Sequence, residues 1–177
     1  MNNFITNRNP RICGREHSDR HVIKMILESA QQLSTALRVN GYNGDWVYKA
    51  THKNHPCTKW VAENIENFNW VLTLGFAYCE EYTFRTGKHH KSENILIRCD
   101  ILCDKFIPRG ELTVPPKAMP DEYKIGGDNW DDVVASYRNY YIKGKTYMNK
   151  GKGPQWKYKP ERCPQWFKDG KENALFV

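Results

Sequence analysis

The sequence predicts an all-α protein: a compact single domain over residues 1–177, built as a bundle of about three main helices with a long irregular C-terminal wrap. Three observations carry that expectation. Apolar residues recur at three- and four-residue spacing over several long stretches, and no stretch alternates over the length of a strand. A chain of 177 residues suits one domain and can bury a core without disulfide staples. Everything after Lys143 is rich in Gly, Lys, Pro and aromatics, and too poor in aliphatic residues to be a core by itself.

The elements follow in order. Residues 1–17 are polar and read as irregular, with one short extended candidate at Asn3–Thr6. Ser18 or Asp19 caps a helix whose Val22, Met25, Ile26, Ala30, Leu33 and Leu37 form one apolar stripe, ended by Asn40-Gly41. Residues 41–57 are loop. A second helical region starts near Thr58, runs through Trp60, Phe68, Leu72 and Cys79 to Thr86-Gly87, and is expected to be the most buried, with a break near Asn67. Residues 92–104 fit either a helix or an irregular packed segment. Pro108, Pro115 and Pro116 make 105–120 an extended loop. Residues 129–143 form a last amphipathic helix with Trp130, Val133, Val134, Tyr137 and Tyr141 toward the core, and a basic, aromatic tail over 150–177 wraps the helices.

A net charge of +7 favours polyanionic partners, nucleic acid first and anionic membrane second. No run approaches the ~18 apolar residues of a membrane span. The N-terminus MNNFITNRNP has no apolar signal region, so a cytoplasmic location is expected, the host cytoplasm for a viral protein. The six cysteines then stay reduced and serve as small buried residues. Nothing reads as a coiled coil, so a monomer is expected.

Chemistry concentrates on the first long helix. Asp19, His21, Lys24 and Glu28 are polar positions in an otherwise apolar helix, and Lys24 and Glu28 share a face. A carboxylate at the margin of a core suits acid/base work. From the pattern alone, a plain surface ion pair of Lys24 with Glu28 is the favoured reading, since exposed pairs are common. Cys13, His17 and His21, with His52, His55 and Cys57, are ligand-type residues, but they lack a CxxC pair, and neither a metal nor a cofactor is expected. The run from Lys150 interleaves Lys152, Lys157 and Lys168 with Trp156, Tyr158 and Trp166; cations meet phosphates and rings stack on bases. Alternatively, those rings pack back on the core.

The segment Ser-Asp-Arg-His-Val-Ile-Lys-Met-Ile-Leu-Glu (18–28) resembles the first long helix of the pyrimidine-dimer DNA glycosylase family typified by endonuclease V of T-even phage. That helix carries Asp-x-His and then the catalytic Glu at the same spacing, so Asp19, His21 and Glu28 match. Residues 66–87, ending Arg85-Thr86-Gly87, are similar to its second long helix and Arg-Gly turn. Met-Pro-Asp-Glu-Tyr-Lys (119–124) resembles its Ile-Pro-Gln-Glu-Phe-Arg, and Pro-Gln-Trp-Phe-Lys-Asp-Gly-Lys (164–171) its Pro-Thr-Trp-Tyr-Lys near the end. The resemblance implies an all-α domain that binds duplex DNA, excises a base and cleaves the strand at the abasic site. It implies an N-terminal α-amine as nucleophile, forming a Schiff base at the sugar C1′, with the Glu polarising the sugar. An α-amine ionises close enough to neutrality to supply free base. The chain departs from the family at its start, where Asn2 follows a retained Met1, and at Leu27 and Gln31, where the family has arginines. Lys24 is then an alternative amine, and the grip on DNA falls to Arg15, Arg20, Lys24, Lys88 and the C-terminal lysines.

Three readings remain open at this level. They are a glycosylase with abasic-site lyase activity on DNA, a same-fold enzyme acting on free nucleotides or a modified nucleobase, and a non-enzymatic DNA-binding protein.

Overall fold

Asn9-Pro10 starts a helix inside the stretch expected to be irregular. In the computed structural model, which describes residues 1–173, α1 (Pro10–Glu16) is capped by the Asn9 side chain, which accepts from the Arg11 and Ile12 amides. Pro10 stands in the first turn, where a missing N–H costs nothing. Ser18 then leads α2 (Asp19–Val39), the helix expected from the Val22–Leu37 stripe. The Ser18 hydroxyl does not cap α2, because it accepts instead from the Tyr141 hydroxyl at 3.0 Å.

The second helical region is two helices, α3 (Pro56–Glu63) and α4 (Ile65–Thr86). The break falls at Asn64, not Asn67. Asn64 takes an extended backbone, and its side chain caps α4 by accepting from the Asn67 amide at 3.0 Å. Asn67 is fully buried within α4 and has a different task. Its Nδ2 donates to the Trp60 carbonyl at 2.9 Å, and its Oδ1 accepts from the Thr113 amide at 2.9 Å, fastening the extended 107–120 segment to the helix. Gly87 ends α4 in the left-handed region at φ 70°, as a glycine C-terminus should.

The ambiguous segment 92–104 is helical, within α5 (Glu93–Phe106). After a single 3-10 turn at Asp121–Tyr123 comes α6 (Trp130–Asn139), which continues as a π turn at Tyr140–Gly144. The wrap is less irregular than the sequence suggested. It holds α7 (Met148–Gly151), one distorted turn with Asn149 and Lys150 left-handed, a 3-10 turn at Pro160–Arg162, and α8 (Gln165–Asn173). Residues 174–177 of the expected tail lie outside the described residues.

The chain is all-α, with no strand among the described residues. The α2–α4 pair is the centre; α3 and α5 pack on both, and α1 lies on α4. Gly14 permits that last approach, since a Cβ there would stand 2.7 Å from the Ala77 Cβ. No described helix is long and apolar enough to cross a membrane. All six cysteines are free, and all but the half-buried Cys163 are buried.

Candidate active site

Glu28 lies two turns along α2 from His21 and one from Lys24. Its side chain is 15% exposed and meets two amines. Oε1 forms an ion pair with Lys24 Nζ at 3.0 Å. Oε2 stands 4.0 Å from the Met1 α-amine and accepts from the Asn2 backbone N–H at 3.3 Å. The two amines are held differently. The Lys24 side chain is 69% exposed, whereas that of Met1 is 3% exposed.

What holds Met1 is the segment behind it. The extended candidate Asn3–Thr6 is a buried run without regular structure, and the left-handed Phe4 interrupts any extended course. Asn2 Nδ2 donates to the Ala118 carbonyl at 2.5 Å. Arg138 Nε donates to the Thr6 carbonyl at 2.8 Å. Phe4 sits at φ 45°, a left-handed conformation that costs an aromatic residue about 1–3 kcal/mol. Its carbonyl accepts from His17 Nε2 at 2.9 Å, and its ring stacks on His21 with centroids 4.5 Å apart. Across the site, His52 is also left-handed at φ 49°, and His55 caps α3 by accepting from the Cys57 amide. Burial lowers the His55 pKa, the positive charges of the Met1 amine and His52 lower it further, and Glu28 works the other way. His55 therefore feels both charges of the Glu28–Met1 pair.

Asp19 and His21, both expected to be catalytic, do other work. Nine residues of helix span about 13.5 Å, so Asp19 and Glu28 cannot serve one reacting atom. Asp19 is an anchor: Oδ1 pairs with Arg85 at 3.1 Å, and Oδ2 accepts from the Lys157 amide at 2.6 Å and the Tyr158 amide at 3.3 Å. Arg85 in turn pairs with Glu81 at 3.1 Å, and Glu81 with Arg162 at 3.1 Å. This buried chain ties α2, α4 and the wrap together. The His21 ring is buried, and its Nδ1 lies 2.8 Å from the Tyr141 hydroxyl. Desolvation, reinforced by the charges of His17, Lys145, Lys24 and Arg20, pushes its pKa well below the usual histidine value. It contributes a neutral ring, not a proton donor near neutral pH.

Burial also takes His17 down to about 3, with the Arg85 charge adding to the fall and the hydrogen bond to Phe4 opposing it. The sign follows from linkage. The unfolded chain takes up a proton at this histidine below about pH 6.5, and the native state does not until about pH 3. Stability present above pH 6.5 is therefore lost as pH falls, at about 1.4 kcal/mol per pH unit from His17 alone. Urea unfolding at pH 7 and pH 5 should show this loss, and His17→Gln should flatten it. A midpoint unchanged between those two pH values would contradict it.

The expected DNA-contacting residues divide. Arg20, Lys152, Lys157 and Tyr158 are exposed, and they come together with Asn149, Lys150 and Gln155 on two adjoining hollows of about 290 and 360 Å³ beside the start of α2. Arg15, Lys88 and Lys168 are exposed but do not line these hollows. The two tryptophans are a correction. Trp156 is buried, and its Nε1 donates to the Glu16 carbonyl at 3.1 Å. Trp166 is half-buried against Tyr141, with Arg138 5.3 Å over its ring. Both rings fold back onto the core because the tail lacks aliphatic residues to fasten it.

No family model matches the chain, and neither a curated protein nor a solved structure matches it. Its chemistry is therefore carried by the geometry alone. Among the described residues no three His, Cys, Asp or Glu side chains are grouped to hold a metal ion. A hollow of about 790 Å³, lined by residues between Lys53 and Glu63 and by Val39, Val114 and Pro116, does not include Glu28. Sequence reasoning missed Asn2, Phe4, His55, Lys145 and Tyr147 as neighbours of the site. Positive φ at Phe4 leaves no sequence trace. His55-Pro56 was legible as a helix start, which would have placed His55 at a helix terminus facing α2.

Proposed function

We propose that the protein is a DNA base-excision enzyme, an N-glycosylase with abasic-site lyase activity on damaged bases, such as pyrimidine dimers, or on modified bases. The observation that carries this reading is the Met1 α-amine 4.0 Å from Glu28 Oε2, followed by the buried segment Asn3–Thr6. In this scheme the neutral amine attacks the sugar C1′. The C1′–N bond breaks, its electron pair leaves with the base, and the base takes a proton. Glu28 stabilises the positive charge that develops at C1′ and the ring oxygen. It then accepts the proton shed by the amine and returns it to the ring oxygen as the sugar opens to an imine. Loss of a C2′ proton and departure of the 3′ phosphate cleave the strand, and water releases the amine. Lys24, mostly exposed beyond Glu28, pairs with the carboxylate's other oxygen. Arg20, Lys152 and Lys157 contact the phosphates of duplex DNA, and the protein acts as a monomer.

A second reading is a same-fold enzyme acting on free nucleotides. It is favoured by Leu27, 39% exposed on α2 at a position where the family that the sequence resembles has an arginine.

Borohydride trapping tests the proposal. The full chain, incubated with duplexes carrying an abasic site, a pyrimidine dimer or a modified pyrimidine, should yield a covalent adduct that maps to the Met1 peptide. An adduct on Lys24 would move the nucleophile. Absence of both adduct and base release from every duplex would sink the reading.

A further inference from the structure

Lys145 follows the π turn and is only 6% exposed. Its Nζ donates to the hydroxyls of Tyr140 and Tyr147, each at 3.1 Å. The rings of Tyr140, Phe4 and Tyr147 surround it at 4.4, 4.8 and 5.4 Å. No carboxylate among the described residues pairs with it. Buried lysines are ordinarily paired with an anion. Ring faces and hydroxyls soften the desolvation but supply no opposite charge.

The ammonium forms part of the wall of a pocket of about 430 Å³. Arg20 and Lys24, both exposed, share that wall with Phe4, His21 and Tyr147. Three cations thus border one hollow with no acid on its lining. The His21 ring registers that positive field, since Lys145, Lys24 and Arg20 all press its pKa down. Tyr147 is 68% exposed while its hydroxyl holds Lys145, so much of its ring is open to solvent beside the cations. Lys24 reaches both the pocket and Glu28, so a group bound in the pocket lies next to the candidate carboxylate.

We infer that this pocket is a nucleotide subsite, in which Lys145 at the wall and Arg20 and Lys24 at the mouth hold a phosphate while Tyr147 stacks on the attached base. Charge-assisted hydrogen bonds from several cations suit a phosphate, and an exposed ring beside them suits a base of any identity. A volume of about 430 Å³ accommodates a nucleoside phosphate. The ligand class rests on the nucleic-acid reading above; the binding itself involves no bond change and does not depend on Glu28. The phosphate belongs either to a DNA strand or to a free nucleotide.

Calorimetric titration of the full chain with inorganic phosphate, thymidine 5′-monophosphate and a short single-stranded oligothymidylate distinguishes the two sources. Binding of the mononucleotide assigns the free nucleotide as sufficient. Binding of the oligonucleotide without the mononucleotide assigns the strand. In either case Lys145→Met, which fills the same space without charge, should weaken binding by about 10- to 100-fold. Tyr147→Ala should weaken the thymidine ligands more than inorganic phosphate, which loses only the hydroxyl's hold on Lys145. Arg20→Ala, at an exposed position that the fold does not need, should weaken all bound ligands and keeps the test decisive if Lys145→Met fails to fold. Wild-type protein that binds none of the three, or Arg20→Ala and Tyr147→Ala proteins that bind as wild type does, overturns the inference. Nucleotide binding without any borohydride adduct would keep the subsite and remove the glycosylase chemistry. An adduct that forms at the wild-type rate in Arg20→Ala and Lys145→Met would do the reverse.

Discussion

Glu28→Gln should lower base release and imine trapping by about 10²- to 10⁴-fold, the range for a positioned proton-transfer and charge-stabilising group. The change is isosteric. The Gln Oε1 can still accept from the Asn2 amide, and Lys24 is 69% exposed, so its loss of an anion is absorbed by solvent. Thermal stability should therefore stay near wild type while the chemistry collapses. Single-turnover rates on an abasic duplex, beside a melt of the same preparation, separate the two. The amines give the complementary contrast. Acetylation of Met1 should abolish the adduct, whereas Lys24→Met should leave it within about tenfold, as expected for an exposed pair. A Glu28→Gln protein with wild-type turnover would remove the carboxylate from the mechanism.

Arg85→Met should cost about 3–5 kcal/mol, the penalty for stranding buried carboxylates. The Arg85 side chain is 1% exposed and satisfies Asp19, Glu81 and the carbonyls of His17 and Arg15. Methionine keeps the bulk but leaves Asp19 with two backbone amides and Glu81 with Arg162 alone. For a domain of this size, 1 kcal/mol corresponds to roughly 2–4 °C, so the melting temperature should fall by about 10 °C. Adding Glu81→Gln should recover part of the loss, because one stranded charge is then absent. Urea unfolding of the two single variants and the double variant measures the coupling. A loss below about 1 kcal/mol for Arg85→Met would show that the network is solvated, contrary to its burial.

The helices were legible where a stripe of apolar side chains ran long. The limits of α2 follow from its stripe and from Asn40-Gly41, and α6 from Trp130, Val133 and Tyr137. Short helices led by proline were not, since α1 and α8 have too few turns to show a period, and Asn9-Pro10 and Pro164-Gln165 were their local signals. In the site, Glu28 and Lys24 were readable as neighbours because one helix fixes their spacing. The approach of Met1 was not, because it depends on Asn2 reaching Ala118, a contact between distant parts of the chain with no local pattern. Asp19 misled for a related reason: its role is set by residues 157–158, and spacing on its own helix says nothing of them. Trp156 and Trp166 were ambiguous between stacking on bases and packing inward, and burial resolved them toward the core.

The fastening of Asp19 to the Lys157 and Tyr158 amides, 138 and 139 residues away, bears on how the molecule is made. Helices α1 to α5 pack on one another, with α1 and α2 closing on α4, and all of them lie within the first 106 residues, so they can assemble before the wrap is made. The cationic hollows around Arg20, and the pocket that holds Lys145, exist only once residues 145–158 have docked across the start of α2. During synthesis those residues emerge long after α2. A ribosome-bound chain would therefore carry Glu28 and Lys24 on α2 before the cationic hollows exist, and those hollows would be completed late.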